Sequence, residues 1–242
     1  MGFDFSASYD ELNPADDDHR FYERLALAHG ARDAVDLGCG TGSLARRWAG
    51  HGLRVHAVDP DPAMIRVAAG RGDVAGRVTW TVGYSDVLAT GSADLVVMTG
   101  HVAQVFVEDV AWSAVLADAG RALRLGGLLA FEFRHPQARA WEGWTRAATL
   151  RIVETSDGPV EFWHETVEVD LPRVAYDTFT RDLATGEVVA HRDVLAFRSP
   201  DAIAASLAGA GFAVDSLHGS WDGAPVTPRS VELIVCATRL LR

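Results

Sequence analysis

The chain has 242 residues, 48% of them apolar, and a formal net charge of −11 from 33 acidic and 22 basic residues. That length holds one sizeable α/β domain with an elaboration rather than two full domains, and that apolar content excludes a largely disordered chain. Every basic residue is an Arg, and they are scattered, so the clustered cationic face that nucleic acid requires is excluded.

No run of about 18 apolar residues reads as a membrane span. The first residues, Met-Gly-Phe-Asp-Phe-Ser, lack the basic and apolar stretches of a secretion signal, so a cytoplasmic location is expected. Two cysteines, Cys39 and Cys236, are too few for a disulfide framework. The nine histidines fall in no metal-ligand spacing, and no metal is expected.

In chain order, residues 1–13 read as a loosely held arm with Tyr9 as its notable side chain. Asp16, Asp17 and Asp18 open a helix running to about His29, with Phe21, Leu25 and Ala28 on one face. Ala34 to Leu37 is a first strand. A second helix follows, carrying Leu44, Ala45 and Trp48 inward. Further strands are read at Leu53 to Asp59, Arg77 to Val82, Ala93 to Met98 and Leu128 to Phe133. The fourth is nearly all apolar, as a strand buried on both faces should be. Trp112, Val115, Leu116, Ala119 and Leu123 mark a long amphipathic helix that Gly126 and Gly127 end.

Strands alternating with helices predict a doubly wound, mostly parallel α/β sheet. Two closing strands, Phe212 to Leu217 and Val231 to Thr238, bring it to seven, preceded by a helix opening at Ser199-Pro200-Asp201. Residues 141–198 break the pattern. Val160 to Val169, Arg173 to Asp182 and Glu187 to Phe197 read as extended, with no convincing helix and no assignable register. The expected organisation is a core over 1–140, an antiparallel β insert over 141–198, and the rest of the core over 199–242.

Residues 35–43 read Val-Asp-Leu-Gly-Cys-Gly-Thr-Gly-Ser. A strand, a side-chain-free turn and a helix N-terminus let a ligand lie against bare backbone. Asp36 makes this turn a poor cradle for phosphate and a good one for a cationic or donor-rich ligand. The next strand ends in Asp59, placed to accept hydrogen bonds from ribose hydroxyls. The spacing is Gly-x-Gly-x-Gly, with Ser43 where a dinucleotide fingerprint has its third glycine.

On these residues the chain resembles the class I methyltransferases that use S-adenosyl-L-methionine, of the small-molecule type. The resemblance covers residues 9–135 and, more loosely, 200–238. It implies a Rossmann-like core and a cofactor site beyond the carboxyl ends of the strands. Asp36, Leu37, Gly38, Gly40, Thr41 and Gly42 would receive the amino-acid part of the cofactor. Asp59, with Pro60, would hold the ribose, and Met64 would pack on adenine. In the family an acidic residue often follows the glycine after the third strand. Here that position is Tyr84, so Ser85 or Asp86 would read the adenine amine.

Thr99, Gly100 and Gln104 lie on the loop that in the family passes the methionine moiety. Tyr9 and Tyr22 would close over that end. His101 and His135 fall on strand-end loops and are the candidate general bases. The Asn-Pro-Pro-Tyr wording of adenine and glutamine methylases is absent, which points to a small-molecule N or O acceptor. Trp141, Trp144, Phe162, Trp163 and Tyr176 are candidates for lining its pocket. The insert would roof the acceptor site, or else pair two copies into a homodimer. Two other readings stand beside this one: an NAD(P)-dependent oxidoreductase, and a non-catalytic binder of S-adenosylmethionine.

Overall fold

The structure is a computed structural model that describes residues 5–14, 17–72 and 76–240. Its frame is a seven-stranded sheet in the order β10-β11-β5-β4-β1-β2-β3. The strands are β1 (Asp33–Leu37), β2 (Arg54–Asp59), β3 (Val78–Val82), β4 (Ala93–Met98), β5 (Leu123–Arg134), β10 (Phe212–His218) and β11 (Glu232–Arg239). All neighbours pair in parallel except β11, which runs antiparallel to both β5 and β10. The mostly parallel sheet and the small antiparallel one agree with the expected fold class.

Helices cover both faces. On one side lie α2 (Asp17–His29), α3 (Ser43–Gly50) and α4 (Pro62–Gly70); α6 (Asp109–Ala122) and α8 (Pro200–Gly209) pack within the second core cluster. Local chemistry sets their starts. Asp61 caps α4 by accepting from the Ala63 amide at 2.7 Å, with Pro62 at the first position. Ser199 caps α8 in the same way. In the α6 core, Trp112 meets Phe131 and Phe133 edge to face, at centroid distances of 5.4 and 5.6 Å. In the other core Trp48, Leu44 and Tyr22 close over Leu95 and Val97.

The second sheet is β6 (Arg151–Thr155), β7 (Gly158–Asp170), β8 (Arg173–Asp182) and β9 (Val188–Ala196), antiparallel throughout. Register places Phe162 opposite Thr180, His164 opposite Thr178, and Thr178 opposite His191. Successive side chains on a strand alternate between faces, so these residues share one face. The sheet is tied to the core through α5 (Val102–Val105), where Gln104 Nε2 donates to the Ala196 carbonyl at 3.1 Å.

Several sequence expectations change. The arm is not loose along its described length: α1 (Tyr9–Leu12) buries Leu12 completely against Val160 and Phe162. On α2 the buried face is His19, Phe21, Tyr22 and Ala26, while Ala28 is exposed. Asp16 lies outside the described residues. β5 begins at Leu123, before Gly126 and Gly127, because its first residue pairs with Ala93. The insert also contains β6 and a one-turn helix, α7 (Arg146–Thr149), capped by Thr145.

Candidate functional site

The carboxyl ends of β1, β2, β4 and β5 meet at one edge of the sheet. The chain switches sides between β1 and β4, the point where open α/β sheets bind ligands. Gly38, Gly40 and Gly42 all have positive φ, at 77°, 52° and 77°, which favours glycine. Two of them are also packed tight. A Cβ on Gly38 would fall 2.4 Å from Val102, and one on Gly42 would fall 2.3 Å from the Trp80 ring. Gly40 differs: a Cβ there would meet nothing closer than the Tyr9 ring, at 3.8 Å. The turn therefore presents bare backbone toward Tyr9.

Asp59 locks this turn. Its Oδ2 accepts from the Gly40 amide at 2.8 Å and its Oδ1 from the Asp61 amide at 2.9 Å. Burial raises its pKa above the ordinary carboxylate range. Asp36 is fully buried under the turn, and neither of its oxygens has a hydrogen-bond partner among the described residues. Burial pushes it up to about 7, opposed by the Ala45 amide, which lies nearby but outside hydrogen-bonding geometry, and helped by the Asp59 charge. The buried Thr99 hydroxyl and His19 Nδ1 also lack partners. Unmade hydrogen bonds of this kind are costly, and together they describe a site prepared for a donor-rich ligand.

A cleft of about 440 Å³ opens above the turn. Tyr9, Gly38, Gly40, Thr41, Thr99, Gly100 and His101 line it, with Asp18 and His19 of α2 and with Arg134 and Arg151. Asp10 of α1 closes one side, bonded to the Thr41 hydroxyl and to Arg71. A second chamber of about 580 Å³ adjoins it and shares Tyr9, Asn13, Gly100 and Arg134. Its far wall is the inner face of the small sheet: Phe162, His164, Tyr176, Thr178, Thr180, His191 and Asp193. Trp144 and Met64 complete it. His164 Nδ1 is 3.0 Å from the Thr178 hydroxyl. Burial, then the Arg151 and Arg134 charges, lower His164 to about 4, so it is neutral at physiological pH.

The sequence candidates separate by position. Tyr9, Gly38, Gly40, Thr41, Thr99, Gly100 and His101 come together around the cleft, and Met64 lines the chamber. Leu37, Gly42 and Asp36 lie beneath or behind the turn, and Pro60 is exposed beyond Asp59. Tyr22 is completely buried and its hydroxyl bonds Glu132, so it belongs to the support under the loop. Gln104 is likewise buried, spent between Ala196 and Arg134. Ser85 donates to Asp118 at 2.7 Å, and neither it nor Asp86 lines the cleft or the chamber.

The two candidate bases also part. His101, with φ of 63°, sits in the cleft with Nε2 3.0 Å from Glu232; burial, then Arg134, lowers its pKa. Its amide donates to buried Glu132 at 2.6 Å. His135 lines neither cavity, and its Nδ1 accepts from the Gln137 amide at 3.0 Å. Of the aromatic candidates, Trp144, Phe162 and Tyr176 face the chamber. Trp141 packs on Phe197, and Trp163 stacks on Phe179 on the opposite face. Sequence reading did not single out Arg151, His164, Thr178 or Asp193. Their signal was the two-residue alternation of the insert, unreadable until register was known.

Residues 34–127 match the family model described as methyltransferase domain. A demethylmenaquinone methyltransferase of Tropheryma whipplei (strain Twist) is 25% identical over 187 residues, covering 70% of this chain and 75% of its own. A S-adenosylmethionine-dependent methyltransferase from Clostridium acetobutylicum ATCC 824 superposes with a TM-score of 0.76 at 16% identity, over 96% of both chains. The sugar N-methyltransferase KedS8 from Streptoalloteichus sp ATCC 53650 gives 0.75 at 19% identity, over 100% of this chain and 96% of that one. S-adenosylmethionine-bound CalS10, an amino pentose methyltransferase from Micromonospora echinaspora, gives 0.72 at 19%, over 99% and 98%.

The methyltransferase-domain match over residues 34–127 and the shared fold support a class I S-adenosylmethionine-dependent methyltransferase. The same comparisons support methyltransferase activity with S-adenosylmethionine as the cofactor, in preference to the nicotinamide reading. The donor set fits such a ligand: bare glycine backbone, an acidic side chain (Asp59) locking the turn at the end of β2, and the Asp36 and Thr99 oxygens without hydrogen-bond partners among the described residues. No helix among the described residues is long and apolar enough to cross a membrane, and none of their side chains cluster as a metal site.

Proposed function

We propose that the protein methylates the nitrogen of a small, polar, ring-shaped amine, an amino sugar being the best match. The observation that carries this is the chamber under the small sheet, which joins the cofactor cleft at Tyr9, Gly100 and Arg134. Its walls alternate aromatic faces (Trp144, Phe162, Tyr176) with hydroxyl, imidazole and carboxylate groups (Thr178, Thr180, His164, Asp193). Aromatic planes suit the apolar face of a ring, and the polar groups suit its substituents. A quinone-like acceptor would leave those polar groups unpaired.

Bound at the glycine turn, the cofactor supplies the activated methyl group. The chain's part is positioning, which can contribute several kcal/mol. Asp59 would hold the ribose, and Asp36 would attract the ammonium. His101, backed by Glu232, lines the cleft, and Tyr9 lines both chambers. Nitrogen is favoured over oxygen because the imidazole facing the acceptor from β7, His164, is a weakened base. His164 is shifted down to about 4, too weak to ionise a hydroxyl, and burial shifts His101 in the same direction. A neutral amine needs no such base, and nearby Arg134 disfavours its protonated form.

The test is product analysis by mass spectrometry with methyl-labelled cofactor and paired acceptors, each amino sugar beside its hydroxyl counterpart. Label is expected on the amine alone. Label on the hydroxyl with the amine inert would contradict the nitrogen assignment.

A further inference from the structure

Two guanidinium groups line the cofactor cleft, Arg134 at the end of β5 and Arg151 at the start of β6. Arg134 Nη1 donates to Gln104 Oε1 at 3.0 Å and the group lies over the Trp144 ring, 5.4 Å from its centre. Arg151 donates to the Leu12 carbonyl and lies over the Phe162 ring at 4.9 Å. Their direct contacts are to neutral groups and neither forms an ion pair among the described residues, although the Glu232 and Glu132 charges act on Arg134 from nearby. Arginines commonly face carboxylates in this acidic chain, as Arg54, Arg124 and Arg192 do. The carboxylates that line the cleft are Asp10, already bonded to Thr41 and Arg71, and Asp18.

The cofactor's amino-acid end carries a carboxylate as well as an ammonium. Arginine is suited to a carboxylate in a half-enclosed site, because its planar fork matches both oxygens. We propose that Arg151, assisted by Arg134, binds the carboxylate of the cofactor, so that the cofactor clamps the insert onto the core. Arg151 belongs to the insert's first strand and already grips the carbonyl of Leu12 on the arm. A carboxylate at this point joins arm, insert and glycine turn. The acceptor chamber, whose wall is the same insert, is then completed by cofactor binding, and the acceptor enters second. This rests on the cofactor assignment.

The experiment compares two ligands that share the nucleoside and the thioether sulfur. S-adenosylhomocysteine has the amino acid, and 5′-methylthioadenosine lacks it. Wild type and Arg151→Met are titrated with each, and hydrogen exchange follows Arg151–Thr155. Arg151→Met should weaken S-adenosylhomocysteine roughly 10- to 100-fold, the scale of lost charge-assisted hydrogen bonds, and leave 5′-methylthioadenosine unchanged. Only the first ligand should slow exchange along β6. Equal loss for both ligands would make Arg151 a strut for the arm and overturn the proposal, as would no loss for either. If Arg151→Met does not fold, Arg151→Gln, which keeps a donor for Leu12, carries the same comparison. Failure of both ligands to bind folded wild type would instead overturn the cofactor assignment.

Discussion

Asp36 shows at the scale of one residue how a binding site is kept at the expense of stability. Its carboxyl ionises at 3.8 when unfolded and at about 7 when buried, so between those values the folded state holds a proton that the unfolded state lacks. Stability of the cofactor-free protein must therefore fall as pH rises through that window. Glu132, raised to about 8 by burial, acts in the same direction. Asp36→Asn should raise the thermal midpoint of the cofactor-free protein at pH 8, by an amount equivalent to about 1–3 kcal/mol, and weaken S-adenosylhomocysteine binding. Calorimetry checks both. A midpoint unmoved by the substitution, or flat between pH 5 and 8, would contradict a buried unpaired carboxylate. The glycine turn itself was legible from spacing, because Gly38 and Gly42 answer a local demand for positive φ and close packing, and Asp59 bonds the turn at the Gly40 amide. The roles of Tyr22 and Gln104 were not. Both lie near the right loop in sequence, but their polar ends meet Glu132 and Ala196, partners more than ninety residues away.

Among the elements, the arm and the insert depend on each other. Leu12 packs between Val160 and Phe162, and Arg151 returns to its carbonyl. Leu12→Ala should cost about 2–4 kcal/mol, the scale for truncating a buried Leu. It should also accelerate hydrogen exchange in β6 and β7 more than in β1 or β4. Uniform acceleration across both sheets would mean that the arm supports the whole fold rather than the insert. The core strands were legible because a parallel sheet buried on both faces demands nearly continuous apolar runs such as residues 95–98 within β4. The insert was not, since the chamber-facing side mixes Phe162 and Tyr176 with polar groups while the other carries Trp163, Phe179 and the Arg192–Asp177 pair. Mixed faces blur the alternation from which register is read.

The whole molecule divides the work between two adjoining chambers, one built by the large sheet and one roofed by the small sheet. Thr178→Trp, on the inner face beside His164, should fill the second chamber. Methyl transfer should then fall at least about ten-fold while S-adenosylhomocysteine affinity stays within about two-fold, since binding and transfer effects separate when only one site is altered. Loss of cofactor affinity instead would show that the chambers are not distinct. The cofactor site itself is tested most directly by calorimetric titration of S-adenosylhomocysteine into wild type and Asp59→Asn, each confirmed folded. The expected result is one site per chain in wild type and a loss of about 1–3 kcal/mol in the variant, the cost of a charge-assisted hydrogen bond left unmade. No binding to folded wild type at millimolar ligand, or equal affinity in both proteins, would contradict a ribose held by Asp59 beside the glycine turn.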